Sequence, residues 1–102
     1  MFGTIGHARI KPGRQSQLDA LTKEWQQTIR PLIPGEFVQL VGHADGKPDE
    51  LVFVALAQDK DTYQRMAELP EQDAWYRRMA EHLEGDVRWE DVAMEKMEKM
   101  PS

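Results

Sequence analysis

The chain has 102 residues, no cysteine and a net charge of −5, which makes one domain with a single core and excludes a disulfide framework, a thiolate nucleophile and a cysteine-based zinc site. The acidic balance disfavours phosphate backbones as partners, and Arg77-Arg78 is the one adjacent basic pair. No apolar run approaches the roughly 18 residues of a membrane span, and Met1-Phe2-Gly3-Thr4 lacks the basic region and apolar stretch of a secretion signal, so a cytoplasmic protein with neither nucleic acid nor membrane as partner is expected.

Residues Phe2 to Ile10 form the first predicted strand, which Lys11-Pro12-Gly13 ends with residues that break ladders and favour turns. A helix follows, in which Leu18, Leu21, Trp25, Ile29 and Leu32 make one stripe while Gln17, Asp19, Lys23, Glu24 and Gln27 take the outer face. Ser16 with Asp19 has the spacing of a loose capping box, and Pro31, then Pro34-Gly35, stop the helix. The second strand runs from Glu36 to His43. Asp45-Gly46 marks a hairpin, and the third strand begins at Leu51, with every residue from Leu51 to Ala57 apolar.

After Gln58 the helical period returns, with Asp59 or Asp61 as cap and Tyr63, Met66 and Ala67 on one side. Pro70 breaks this helix and suits the first turn of another. That second helix restarts at Glu71, carries Trp75, Met79, His82 and Leu83 along one flank with Tyr76 and Ala80 beside them, and closes at Gly85. Asp86 to about Met94 is the last strand, with Val87, Trp89, Asp91 and Ala93 on one face and Arg88, Glu90, Val92 and Met94 on the other. A domain over residues 1–94 is therefore expected. The tail at 95–102 repeats Met-Glu-Lys, and is either solvated or an arm that lays Met94, Met97 and Met100 on a partner subunit.

Two strand-helix-strand halves in series predict a ferredoxin-like α+β fold, βαββαβ, with a four-stranded antiparallel sheet and the helices on one face. The apolar third strand then requires further cover, because its side chains alternate between two faces and the helices cover one. Four strands about 4.8 Å apart and about 20 Å long leave a bare face of roughly 400 Å², at the limit that soluble monomers expose. A homodimer through that face, its two sheets stacked as a barrel-like sandwich with the helices outside, meets the requirement.

Several kinds of chemistry lack their residues. His7, His43 and His82 lie far apart and outside any zinc-binding array, and Asp45, Asp49 and Glu50 miss the spacing of a calcium loop, so no metal is implied. Serine occurs only at Ser16 and Ser102, neither within a nucleophile elbow. Gly3 and Gly6 lie inside a strand, away from the strand-to-helix turn that a phosphate loop needs.

Met1-Phe2-Gly3-Thr4-Ile5 with Lys11-Pro12-Gly13, and Leu69-Pro70-Glu71-Gln72-Asp73-Ala74-Trp75-Tyr76-Arg77-Arg78 before the last strand, resemble the antibiotic biosynthesis monooxygenase domains, over nearly the whole chain. The resemblance implies a dimeric α+β barrel. It also implies oxidation of a small aromatic, polyketide-like molecule by molecular oxygen with no cofactor. Without a cofactor the substrate must itself become an electron-rich anion, which calls for an apolar pocket, a group that removes a proton and donors that hold the anion.

Trp75 and His82 are seven residues apart, two helical turns, so with Met79 between them and Tyr76 beside them they would give one wall a stacking surface and a titratable imidazole. Plain core packing of Trp75, Met79 and Leu83 is the alternative. His7, mid-strand on the face of Arg9 and near Gly3 and Gly6, is the second candidate for proton handling, or else an interface histidine; Arg9 would supply charge. The expected site therefore has His7, His82 and Arg9 as catalytic groups and Trp75, Tyr76 and Met79 as substrate-binding groups, in a pocket between helices and sheet. A non-catalytic binding or stress-related protein would use the same pocket to hold a metabolite. A related haem-degrading group uses a strand Asn, a Trp and a His; this chain contains no Asn, and His7 would have to stand in the strand position.

Overall fold

In chain order the elements are β1 (Phe2–Ile10), α1 (Gln15–Thr28), a 3-10 turn (Arg30–Leu32), β2 (Phe37–Ala44), β3 (Lys47–Ala57), α2 (Lys60–Ala67), α3 (Pro70–Ala80) and β4 (Leu83–Ala93). They are taken from a computed structural model that describes residues 1–96, 98 and 100, so Met97 of the expected methionine arm lies outside the described residues. The strands form one antiparallel sheet in the order β2-β3-β1-β4, the ferredoxin-like α+β arrangement expected from the sequence. No helix among the described residues is long and apolar enough to cross a membrane.

Local chemistry explains the boundaries. Asp45-Gly46 forms the two-residue hairpin between β2 and β3, with Gly46 at φ 72° and Ala44 paired to Lys47. Asp59 caps α2 by accepting a hydrogen bond from the Thr62 N–H at 2.8 Å, which holds its carboxyl below the ordinary value of 3.8. The stabilisation is present above pH 3.8 and is lost as the pH falls through the lower folded value. Pro70 occupies the first turn of α3, where its missing N–H has no intrahelical partner to lose.

Several sequence expectations are corrected. Pro31 ends the helical stripe early, so Leu32 lies in the 3-10 turn at 49% exposure while Ile33 takes the buried position. Arg14, with no side-chain cap, precedes α1, and Ser16 bonds to Gln17 instead of forming a capping box with Asp19. The third strand starts at Lys47 and not at Leu51; Pro48 is accommodated because pairing slips between Ala44↔Lys47 and His43↔Leu51, leaving it in a bulge. Helix α3 ends at Ala80, so His82 and Leu83 are not on its flank. Gly85, expected to close that helix, lies within β4 at φ 70°, where the pairing with β1 shifts between His7↔Arg88 and Arg9↔Glu84.

The register sorts side chains between the two sheet faces. On the helix side, one row runs Gln39, Ala55, Thr4, Asp91 and the next runs Val41, Phe53, Gly6, Trp89. On the open side, the rows are Leu40, Val54, Ile5, Glu90 and Gly42, Val52, His7, Arg88. Two apolar clusters join helices to sheet: Ile10, Leu18, Leu21, Leu51, Met79 and Leu83 in one, Trp25, Ile29, Ile33 and Met66 in the other, with Trp75 packed against both. Ile29 is 2% exposed, and burial of a side chain of that size stabilises the fold by about 1.5–3 kcal/mol.

Candidate functional site

Small residues leave room between the helices and the sheet. Gly6, Ala55 and Thr4 lie in the two middle rows of the covered face, where larger side chains would reach the helices. Phe53 folds its ring over Gly6; a Cβ at that position would collide with the ring. The ring thereby meets Trp89 edge to face at 5.3 Å, and Tyr76 from α3 leans on Trp89 at 5.7 Å.

The result is a cavity of about 540 Å³, within the range of roughly 300–1,000 Å³ that small-molecule sites occupy. Phe53 and Trp89 stand on the sheet side, with Trp25 from α1, Tyr63 from α2, and Trp75 and Tyr76 from α3 around them. The buried indole of Trp25 and the partly buried one of Trp75 are fixed by hydrogen bonds: Trp25 Nε1 donates to Gln72 Oε1 and Trp75 Nε1 donates to the Leu21 carbonyl, each at 2.7 Å. Ordering these rings before a ligand arrives lowers the cost of binding one.

The polar lining mixes neutral side chains, among them Gln15, Gln39 and Gln72, with carboxylates. The described lining residues include Asp19, Asp73 and Asp91 and no Lys, Arg or His. Asp73 is paired with Arg77 at 3.1 Å and Asp19 accepts from Gln15 at 3.0 Å. Asp91 lies across the β1/β4 ladder from Thr4, whose hydroxyl donates to the Glu90 carbonyl at 3.2 Å. Tyr63 is half-buried, and that burial, with the Asp91 charge adding to it, pushes its phenol above the ordinary 10.0 while Thr4 acts in the opposite sense. At neutral pH Tyr63 is therefore a protonated donor beside an aromatic cleft.

The structure divides the residues singled out in the sequence. Trp75, Tyr76 and Met79 all line the cavity. His7 and Arg9 project from the opposite sheet face, since they alternate with Thr4 and Gly6 along β1, and Arg9 pairs with Glu50 at 3.3 Å. His82, beyond the end of α3, has its Nδ1 3.0 Å from an Arg14 guanidinium nitrogen. A guanidinium only donates, so Nδ1 is the acceptor in this contact. His82 does not line the cavity, and its backbone carbonyl accepts from the Lys11 N–H at 2.9 Å.

Thr4, Phe53, Tyr63, Trp89 and Asp91 were not singled out for the site by sequence reasoning. Strand alternation already places Trp89 with Asp91 and separates Thr4 from His7; the missing information was the cross-strand register that sets Asp91 opposite Thr4 and Trp89 opposite Gly6.

No family model matches the chain, and no curated protein matches it. Solved structures do. A candidate antibiotic biosynthesis monooxygenase from Deinococcus radiodurans superposes with a TM-score of 0.78 at 13% identity, covering 100% of both chains. A candidate antibiotic biosynthesis monooxygenase from Caulobacter crescentus CB15 gives 0.78 at 14% identity, over 92% of this chain and 90% of the other. Rv0793 from Mycobacterium tuberculosis gives 0.72 at 16% identity, over 96% and 98%. The fold of this chain is thus the one those solved structures share, along nearly its whole length.

Replacing Asp91 with Asn removes a negative charge that opposes ionisation of Tyr63, so the tyrosinate absorbance of Tyr63 should develop at lower pH than in the parent protein while burial still acts on it. Subtracting the titration of Tyr63→Phe assigns the signal. An unchanged midpoint would show that Asp91 does not act on the phenol.

Proposed function

We propose that the protein is a cofactor-independent monooxygenase that oxidises a small, electron-rich aromatic molecule in this cavity and works as a homodimer joined through the open sheet face. The observation that carries the proposal is the aromatic cleft between helices and sheet, with a protonated phenol at its wall. A flat substrate would lie among Trp75, Tyr76, Met79, Phe53 and Trp89.

In the proposed reaction a ring methylene becomes a carbonyl. One oxygen atom of O2 enters the product, the other leaves as water with the two hydrogens of that carbon, and the substrate supplies every electron. The first requirement is a substrate anion. Tyr63 donates a hydrogen bond to its oxyanion, and Asp19 and Asp91, neither ion-paired with Lys or Arg among the described residues, are carboxylates able to accept the proton. His7, Arg9 and His82 take no part in this scheme, because they stand outside the cavity.

The homodimer is supported by the open face. Leu40 is 61% exposed, and it continues across the sheet into Val54 and Ile5, with Val52 and His7 in the next row. A second copy laid on this face would bury both patches in a sheet-on-sheet interface and make His7 an interface residue. The absence of an imidazole from the described cavity lining favours, as a second possibility, a protein that holds an aromatic metabolite without turning it over.

Oxygen uptake with anthrone- or quinol-like compounds tests the activity. Tyr63→Phe is expected to lower kcat by about 10²-fold, the usual loss of one oxyanion donor, while His7→Ala and His82→Ala keep the parent rate. A compound that binds and is recovered unchanged after aeration would select the binding protein instead. In sedimentation at micromolar concentration the parent chain should be a dimer and Val54→Asp a folded monomer; a monomeric parent would contradict the proposed assembly.

A further inference from the structure

Among the described residues the cavity lining has carboxylates and no cation. A substrate anion placed there meets Asp91 and Asp19, while the described lining offers only neutral donors in return. For an anionic intermediate that is a poor field, unless a positive charge arrives with the ligand. The aromatic walls favour such a charge as well. Trp89 is 45% exposed, with Phe53 at 5.3 Å and Tyr76 at 5.7 Å around it, and the π-faces of such rings attract ammonium groups. Asp91 lies two residues further along β4 on the same sheet face, with no Lys or Arg ion pair among the described residues, and its charge reaches into the cavity as far as Tyr63.

We infer that the ligand of this cavity is a flat aromatic molecule bearing a protonated amine, its rings against Phe53, Tyr76 and Trp89 and its ammonium group at Asp91. The inference rests on the cavity being the substrate site. The ammonium group gives Asp91 a counter-ion, and its positive charge favours ionisation of a hydroxyl or activated methylene on the same ligand. The ligand thereby brings the cation that the described lining lacks. Aromatic carboxylates, which add a third negative group near Asp91 and Asp19, are rejected.

Three probes with one ring system and different charge separate shape from charge: 2-naphthylmethylamine, protonated at pH 7, 2-naphthylmethanol and 2-naphthoate. Binding to the full chain is read by quenching of tryptophan fluorescence. The ammonium probe should bind at least about tenfold more tightly than the carboxylate, with the alcohol between them. Asp91→Asn should abolish the advantage of the ammonium over the alcohol. Equal or tighter binding of the carboxylate, or an ammonium advantage that survives Asp91→Asn, would overturn the inference. Alcohol binding that is lost in Trp89→Ala but shows no ammonium preference would overturn the charge class alone and leave the cavity as the site. Failure of all three probes to bind would overturn both.

Discussion

A four-stranded sheet with helices on one face gives every strand two different environments, and the rest of the molecule follows from that asymmetry. In β1, Thr4 and Gly6 face the helices while Ile5, His7 and Arg9 face away. In β3, Phe53 and Ala55 line the cavity while Val52 and Val54 take the open side. One alternation therefore separates the cavity lining from the open apolar face, and a change of a single residue in register would exchange them.

On the covered face, space is as important as contact. Gly6 lets the Phe53 ring cross the strand and touch Trp89, and Ala55 and Thr4 keep the neighbouring row low. The helices close over this floor through the indoles of Trp25 and Trp75, whose N–H groups are already hydrogen-bonded and so are fixed in place. Apolar packing on either side holds the helices off a cleft that the side chains leave unfilled. Electrostatically the described lining of the cleft is one-sided, and burial, with the Asp91 charge adding to it, raises the Tyr63 phenol above its ordinary value.

Much of this was legible in the residues. Period-two and period-3.6 patterns located the strands and helices, Asp45-Gly46 marked the hairpin, and Pro70 divided α2 from α3. Trp75, Tyr76 and Met79 could be assigned to one wall because helical spacing is local. The misplacements arose where tertiary pairing overrode local pattern. His82 continued the stripe of Trp75 and Met79 in sequence, but the chain leaves the helix after Ala80 to pair Leu83 with Ile10. Gly85 looked like a helix stop and is instead the φ 70° residue of a bulge that the β1/β4 register demands. Tyr63 could be read as one more apolar position of α2; its raised phenol comes from burial and then from Asp91, which only the folded sheet brings near it.

The central claim is that the two sheet faces divide the work, with the ligand on the covered side. Methyl NMR with 2-naphthylmethanol tests it most directly, because an aromatic ring shifts the methyl resonances it lies against. The account predicts ring-current shifts for Leu18, Leu51, Met66 and Met79, which line the cavity, and none for Ile5, Val52 and Val54 on the open face. Shifts confined to Ile5, Val52 and Val54 would contradict it.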